Sequence, residues 1–357
     1  MHLLHVVGAR PNFVKVAPVY RALADHGVRQ TLVHTGQHYD ANMSGVFFGQ
    51  LGIPDPDENL AVGSGSHAQQ TAAIMTAFEA VVLRYKPDAV VVYGDVNSTV
   101  AAALVCAKLS IPVAHVEAGL RSFDRTMPEE VNRLLTDQLA DLLFTPSDDA
   151  NLNLLREGIA PEKIDLVGNV MIDTLVRLLP EAEKSVPQDL PRPYGLLTLH
   201  RPSNVDDQDV LKPILTTLLD LALAPHILFP VHPRTKHRLR EFGFHWGNGD
   251  RLRVLDPQPY LEFLGLQRRA AFIVTDSGGI QEEATFLGVP CLTLRENTER
   301  PVTITRGTNI LIGRDMVRLG AEIEKILGGQ AKSGTTPPLW DGKTGERIAD
   351  SLIKRYH

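Results

Sequence analysis

The stretch TDSGGIQEEA, residues 275–284, has the make-up of an anion site. An apolar run, AFIVT, feeds Asp276-Ser277-Gly278-Gly279, and a helical pattern follows. Two glycines let a phosphate approach the backbone, and a helix start offers unpaired N–H groups and positive potential. Ser277, Gly278 and Gly279 are therefore candidates for a phosphate cradle, and Glu283, within the first turns, has reach to sugar hydroxyls. The same residues also fit an ordinary helix start with Asp or Ser as N-cap. Basic groups gather at the ends of other apolar runs: Arg10 and Lys15 in GARPNFVK, His200 and Arg201 in TLHRPSN, His232 and Arg234 in PVHPRT, Arg295 and Arg300 in RENTERP. Single residues of these types are commonly caps or solvated charges; their recurrence at equivalent positions is what points to a ligand. The acids form a complementary set, with Asp95 in YGD, Glu117 in HVEAGLRS, and Glu129, Glu130 and Arg133 in TMPEEVNR. A helix dipole alone would account for Glu129 and Glu130. Glu117 ends the apolar run PVAHV, where an unpaired carboxyl would be desolvated, raised in pKa and suited to proton transfer. At least one of Asp95, Glu117 and Glu129 is expected to be catalytic.

These residues all stand where an apolar run gives way to a helical pattern. LLHVVGARP, QTLVHTG, DAVVVYGD, PVAHVEAG, LLFTPSD and KIDLVGN form one series, and YGLLTLH, HILFPVHP, LRVLDP, AFIVTDSGG and PCLTLRE a second. Strand-helix alternation of this kind gives a parallel sheet covered on both faces. The fold class is thus α/β, with two Rossmann-like doubly wound domains. Residues 1–168 and 169–342 are the expected domains, with a connecting helix, a charged and proline-rich linker in Glu181–Pro193, and a terminal helix over about 343–357. Ligands of such sheets bind beyond the carboxyl ends of the strands, and two such ends can face a shared cleft.

The 357 residues suffice for roughly two domains at about 150 residues each. With 43% hydrophobic and 22% charged residues the chain reads as globular, and a net charge of -6 makes it a poor candidate for coating nucleic acid. No run approaches the ~20 apolar residues of a membrane span, and the start lacks a signal-peptide pattern. Two cysteines, Cys106 and Cys291, form no disulfide framework and suit a reducing cytoplasm. There is no G-x-x-x-x-G-K-[ST] loop and no G-x-G-x-x-G after the first strand, so no nicotinamide cofactor is expected. No H-E-x-x-H or compact His/Asp spacing marks a metal, and QHYD, residues 37–40, is too weak a pattern to assign one.

In order along nearly the whole chain, GARPNFVKVAP, YGDVNST, HVEAGLRS, PEEVNR, VGNVMID, TLHRPSN, PVHPRT, DPQPYLEFL, TDSGGIQEEA and RENTERPVT resemble the non-hydrolysing UDP-N-acetylglucosamine 2-epimerases. The resemblance implies a glycosyltransferase-B-like fold, a homodimer, no cofactor, a last helix packed on the first domain, and interconversion of UDP-GlcNAc and UDP-ManNAc. It implies catalytic roles for Asp95, Glu117, Glu129 and His200. Arg10, Lys15 and Arg133 would surround the sugar and diphosphate, with Ser277, Gly278 and Gly279 as the phosphate cradle. Glu283 would bind ribose, Gln258, Tyr260 and Phe263 would flank uracil, and Arg300 would touch substrate. The chain departs from the family pattern at Asn12, where Glu is common, at HRPSN, and at QHYDAN in place of the QHREML of allosteric members. TGQHYD, MSGVFF and SFDRTMPEE also resemble relatives acting on UDP-2,3-diacetamido-glucuronic acid, and a glycosyltransferase of the same fold is a further alternative. The implied chemistry is elimination of UDP to 2-acetamidoglucal and re-addition, because the C2 hydrogen of the hexose is not acidified by any carbonyl.

Overall fold

The computed structural model describes residues 1–36, 48–187, 189–223, 225–231, 233–244 and 251–356, with the side chains of residues 10, 233 and 234 outside that set. Gln37–Asp40, His232 and the Arg10 and Arg234 side chains therefore lie outside the described residues. The chain divides into two compact units, Met1–Thr174 with Pro338–His357, and Leu175–Pro337.

Among the described residues, the first unit holds a seven-stranded parallel sheet. Its strands are β1 (His2–Val7), β2 (Arg29–His34), β3 (Glu58–Asn59), β4 (Ala89–Tyr93), β5 (Val113–Val116), β6 (Leu142–Thr145) and β7 (Ile164–Leu166), in the order β3-β2-β1-β4-β5-β6-β7. The central strands AVVVY and VAHV are buried throughout, as strands covered on both faces must be. Strand order reverses beside β1, whose neighbours are β2 and β4. Tyr93 pairs with Val116, so the carboxyl ends of β4 and β5 stand level.

Among the described residues, the second unit has a six-stranded parallel sheet of β8 (Tyr194–Thr198), β9 (His226–Pro230), β10 (Leu252–Leu255), β11 (Phe272–Thr275), β12 (Cys291–Thr293) and β13 (Asn309–Leu311), in the order β10-β9-β8-β11-β12-β13. Its reversal lies beside β8, and Thr275 pairs with Thr198, so β8 and β11 also end level. Leu197, Phe229, Phe272 and Leu292 anchor its core against Leu211, Ile214 and Leu215 of the Gln208–Leu219 helix.

The unit boundary falls inside the Val170–Ser185 helix, between Thr174 and Leu175. Thr174 explains the position, since its hydroxyl donates to the Val14 carbonyl at 2.8 Å and fixes the helix's first turn to the first unit. The helix runs on to Ser185, so the charged stretch from Glu181 begins as helix rather than linker. The chain rejoins the first unit at Pro338. There Trp340, nearly fully buried, donates its indole N–H to the Pro146 carbonyl at 3.0 Å. The Thr344–Tyr356 helix then packs on the Arg10–Asp25 helix, with the Gly345 N–H on the Asp173 carboxylate at 2.7 Å. Cys106 and Cys291 are buried free thiols, pushed up to about 12 by burial, which makes them inert at neutral pH. Among the described residues no helix is long and apolar enough to cross a membrane, and no group of three or more His, Cys, Asp or Glu is placed to hold a metal.

Candidate active site

In the first unit the site is assembled at the ends of β1, β4 and β5. Past β1, Asn12 sits in the opening turn of the Arg10–Asp25 helix and is buried. Its side-chain oxygen accepts from the Gly8 and Ala9 N–H groups at 3.3 and 2.9 Å, and its amide donates to the Tyr93 carbonyl at 2.8 Å. A glutamate here could accept from those N–H groups but not donate to Tyr93, so Asn12 is a working departure from the family pattern. One turn further, the Lys15 ammonium meets the Glu117 carboxylate in a short contact, both side chains being buried. Two lone charges in that setting would each face a desolvation cost of several kcal/mol, and pairing offsets it. The pair dictates the backbone around it. Gly94 has φ +64°, and a Cβ there would lie 2.8 Å from the Lys15 nitrogen. Glu117 itself has φ +75°, a conformation costing about 1–2 kcal/mol for a residue with a side chain and typically kept where function needs it.

Asp95 follows Gly94. Its carboxylate takes a short contact from the Arg133 guanidinium, and its carbonyl accepts from the Asn132 amide at 2.9 Å. Arg133 donates with its other end to Glu130 at 2.7 Å. Glu130 also accepts from the Ser122 N–H and hydroxyl, both at 3.0 Å, and from the Phe123 N–H at 2.9 Å. The two adjacent glutamates at the start of the Pro128–Leu139 helix are thus separated by the fold: Glu130 is buried and ties down the preceding loop, while Glu129 is exposed.

In the second unit the ends of β8 and β11 are joined through Asp276. The sequence allows Asp276 as a helix cap. Instead its buried carboxylate accepts from the His200 N–H at 3.2 Å, the Arg201 N–H at 3.0 Å and the Asn204 amide at 3.0 Å, and it pairs with the His200 ring at 2.8 Å. Burial alone would raise its pKa; the hydrogen bond and charge of His200, with Asn204 and the Arg201 N–H, hold it below the ordinary 3.8. Asn204, in the HRPSN departure, also donates to the Leu294 carbonyl at 3.2 Å, so three strand ends are sewn together there. The His200 ring stays largely exposed.

The Gly278–Leu287 helix begins after Ser277, whose side chain does not cap it, leaving the Gly278 and Gly279 N–H groups at its open first turn. A Cβ on Gly278 would lie 2.5 Å from an Arg300 guanidinium nitrogen and 2.7 Å from a Glu299 carboxylate oxygen, so a buried ion pair flanks that turn. Arg300 is held by Glu299 in a short contact and by Glu282 at 2.8 Å. Glu283 is buried, accepting from the Tyr260 hydroxyl at 2.8 Å and the Gln267 amide at 2.6 Å, with its pKa raised by burial. Tyr260 and Phe263, three residues apart on the Tyr260–Arg269 helix, are both half-buried. The Gln258 amide donates to the Asp256 carbonyl at 2.7 Å. The first unit therefore groups Lys15, Glu117, Asp95 and Arg133, and leaves Glu129 exposed in the first turn of the Pro128–Leu139 helix. The second groups His200 with Asp276, Ser277–Gly279 with Arg300, and Glu283 with Tyr260.

A family model described as UDP-N-acetylglucosamine 2-epimerase matches residues 21–353. The chain belongs to that family. The UDP-N-acetylglucosamine 2-epimerase of Methanocaldococcus jannaschii is 46% identical over 367 aligned residues, covering 99% of each chain. A crystal structure from that organism, of a UDP-GlcNAc 2-epimerase in complex with UDP-GlcNAc and UDP, matches with a TM-score of 0.89 at 44% identity over 99% of this chain and 100% of that one. The UDP-2,3-diacetamido-2,3-dideoxy-D-glucuronate 2-epimerase of Pseudomonas aeruginosa is 42% identical, covering 99% of this chain and 100% of its own. A remote likeness to a lipopolysaccharide outer core galactosyltransferase, TM-score 0.56 at 13% identity over 100% and 96% of the two chains, bears on fold alone. The fold of this epimerase-family chain is glycosyltransferase-B-like.

The depressed Asp276 pKa gives a signed prediction. A lowered carboxyl contributes stability above its unfolded value of about 3.9, and loses it as pH falls through the lower folded value. Urea unfolding followed from pH 6 down to about 3 should show the wild-type chain losing stability more steeply below about pH 4 than Asp276→Asn. Parallel curves would remove Asp276 as the organising acid.

Proposed function

We propose that the chain interconverts UDP-N-acetylglucosamine and UDP-N-acetylmannosamine without releasing free sugar. The observation that carries this reading is the grouping of Asp95 and Glu117 with Arg133 and Lys15 at level strand ends, in a chain 46% identical to an epimerase of that name. The second unit serves as the nucleotide half. The open turn at Ser277–Gly279, flanked by Arg300, takes the diphosphate, Glu283 the ribose, and Tyr260, Phe263 and Gln258 the uracil. The first unit serves the hexose.

The reaction runs by elimination and re-addition. A carboxylate removes the C2 proton, the C2–H electron pair becomes the C1=C2 bond of 2-acetamidoglucal, and the C1–O pair departs with the β-phosphate of UDP. A proton then reaches the opposite face of C2, and the same phosphate oxygen re-forms the bond at C1. Atoms and charge balance with no cofactor. Arg10, His200 and the helix start stabilise the charge that develops on UDP; one such donor is typically worth about 10²–10³ in rate. Asp95, Glu117 and Glu129 are the acid/base set, each worth roughly 10²–10⁴. Lys15 holds Glu117 in place, and Arg133 does so for Asp95.

The 42% identity to the diacetamido-glucuronate epimerase supports a second reading, in which the same chemistry acts on a hexose bearing an extra carboxylate. Turnover of each nucleotide sugar side by side decides between them. The proposal includes action in the cytoplasm as a homodimer, for which Val131, Leu135, Leu152 and Leu155 offer exposed apolar surface on the first unit; a single-chain mass by light scattering would remove the dimer.

Two outcomes are expected. Asp95→Asn, Glu117→Gln and Glu129→Gln should each lose at least about 10²-fold in kcat while calorimetry still detects UDP binding, and full activity in all three would discard this acid/base set. Turnover of UDP-GlcNAc in D₂O, with no acceptor present, should place deuterium at C2 of the product, and retention of the original hydrogen would exclude elimination.

A further inference from the structure

Beneath the ends of β4 and β5 runs a buried chain of charged side chains that the roles above do not use. His115, in β5, is fully buried. Its Nδ1 lies 2.6 Å from an Asp137 carboxylate oxygen and its Nε2 2.8 Å from the Gly94 carbonyl oxygen. The other Asp137 oxygen lies 2.7 Å from Arg121 and accepts the Gly119 N–H at 3.1 Å. Arg121 grips Glu157 with two hydrogen bonds of 2.8 and 2.6 Å and donates to the Leu120 carbonyl at 2.7 Å.

Donor accounting fixes the state of the ring. A carbonyl oxygen only accepts. So does an ionised carboxylate, and Asp137 is one, its other oxygen paired with the Arg121 guanidinium at 2.7 Å. A neutral imidazole carries one N–H, so either tautomer would aim a lone pair at an oxygen within 3 Å in the protein interior. Turning the ring over would set C–H groups where N–H groups are needed. We infer that His115 is a doubly protonated positioning residue, which ties the Gly94–Asp95 peptide to Asp137 and thereby sets the Asp95 carboxylate for reaction. The inference of a role in rate rests on the proposed epimerase chemistry.

The charges around the ring support it. Asp137 touches it from the Pro128–Leu139 helix, Arg121, in the loop after β5, touches Asp137, and Glu157, just past the Asp148–Arg156 helix, touches Arg121. Lys15 and Glu117 stand on the other side of Gly94. With an imidazolium the sequence reads plus, minus, plus, minus from the buried His115 to the half-buried Glu157, each charge touching its opposite. Gly94 has no side chain to restrain it, and its carbonyl belongs to the peptide that carries the Asp95 N–H. The next carbonyl, that of Asp95, is held by Asn132. His115 and Asn132 together fix both peptide planes flanking the acid. Releasing one would let Asp95 drift, and about 1 Å of drift costs on the order of 10²-fold in rate.

The test uses the full-length protein labelled with ¹⁵N-histidine. One ring should show protons on both nitrogens, protected from exchange by burial, and that signal should vanish in His115→Gln. Neutral rings throughout would overturn the inference, and this readout needs no substrate, so it stands or falls apart from the epimerase reading. On whichever nucleotide sugar the wild type turns over, His115→Phe should lower kcat about 10²-fold with little change in KM, while His115→Gln, whose amide still reaches Gly94, should recover at least about tenfold. An unchanged kcat in His115→Phe, or a loss confined to KM, would overturn the positioning role.

Discussion

A lysine and a glutamate buried side by side constrain the whole carboxyl edge of the first sheet. Lys15 must arrive one turn into the helix after β1, and Glu117 must leave β5 in a left-handed conformation to meet it. The space between them admits no side chain at the end of β4, which is why Gly94 stands there. Gly94 in turn delivers Asp95 to Arg133, and Arg133 is aimed by Glu130. Each step follows from placing an ion pair where water is scarce, and the result is two carboxylates held beside two cations at the point where strand order reverses, the usual ligand position in such sheets.

The second unit solves a different problem with related means. Its buried acid, Asp276, is spent on structure, binding the backbone of His200 and Arg201 and the side chain of Asn204. The groups left accessible are the open helix turn and the His200 ring, both suited to negative charge. The first unit therefore presents two acid–cation pairs, and the second an open helix turn and an exposed imidazole.

Much of this was legible in the sequence because long apolar runs fix where parallel strands stop, and the residues immediately after them have few places to go. β4, β5, β8 and β11 were recognisable in that way, and Asp95, Glu117, His200 and Ser277 came with them. β3 and β13 were not: β3 is only Glu58-Asn59, with no apolar residue, and β13 is three residues long and opens with a buried Asn309 that bonds Thr293. The distinct fates of Glu129 and Glu130 were also hidden, since neighbouring residues on a helix point about 100° apart and only the loop at Ser122 decides which is buried. Asp276 could be read as a cap, because its real partners lie about 75 residues earlier in the chain. His115 gave no signal at all inside VAHV, a strand whose other residues are apolar.

The pairing of Lys15 with Glu117 is most directly tested by a double-mutant cycle on turnover, using Lys15→Met, Glu117→Gln and the two combined. Residues that act as one unit are strongly non-additive, so the combined variant should be no slower than Glu117→Gln alone, to within about threefold. Losses that multiply, as for independent sites, would contradict the account.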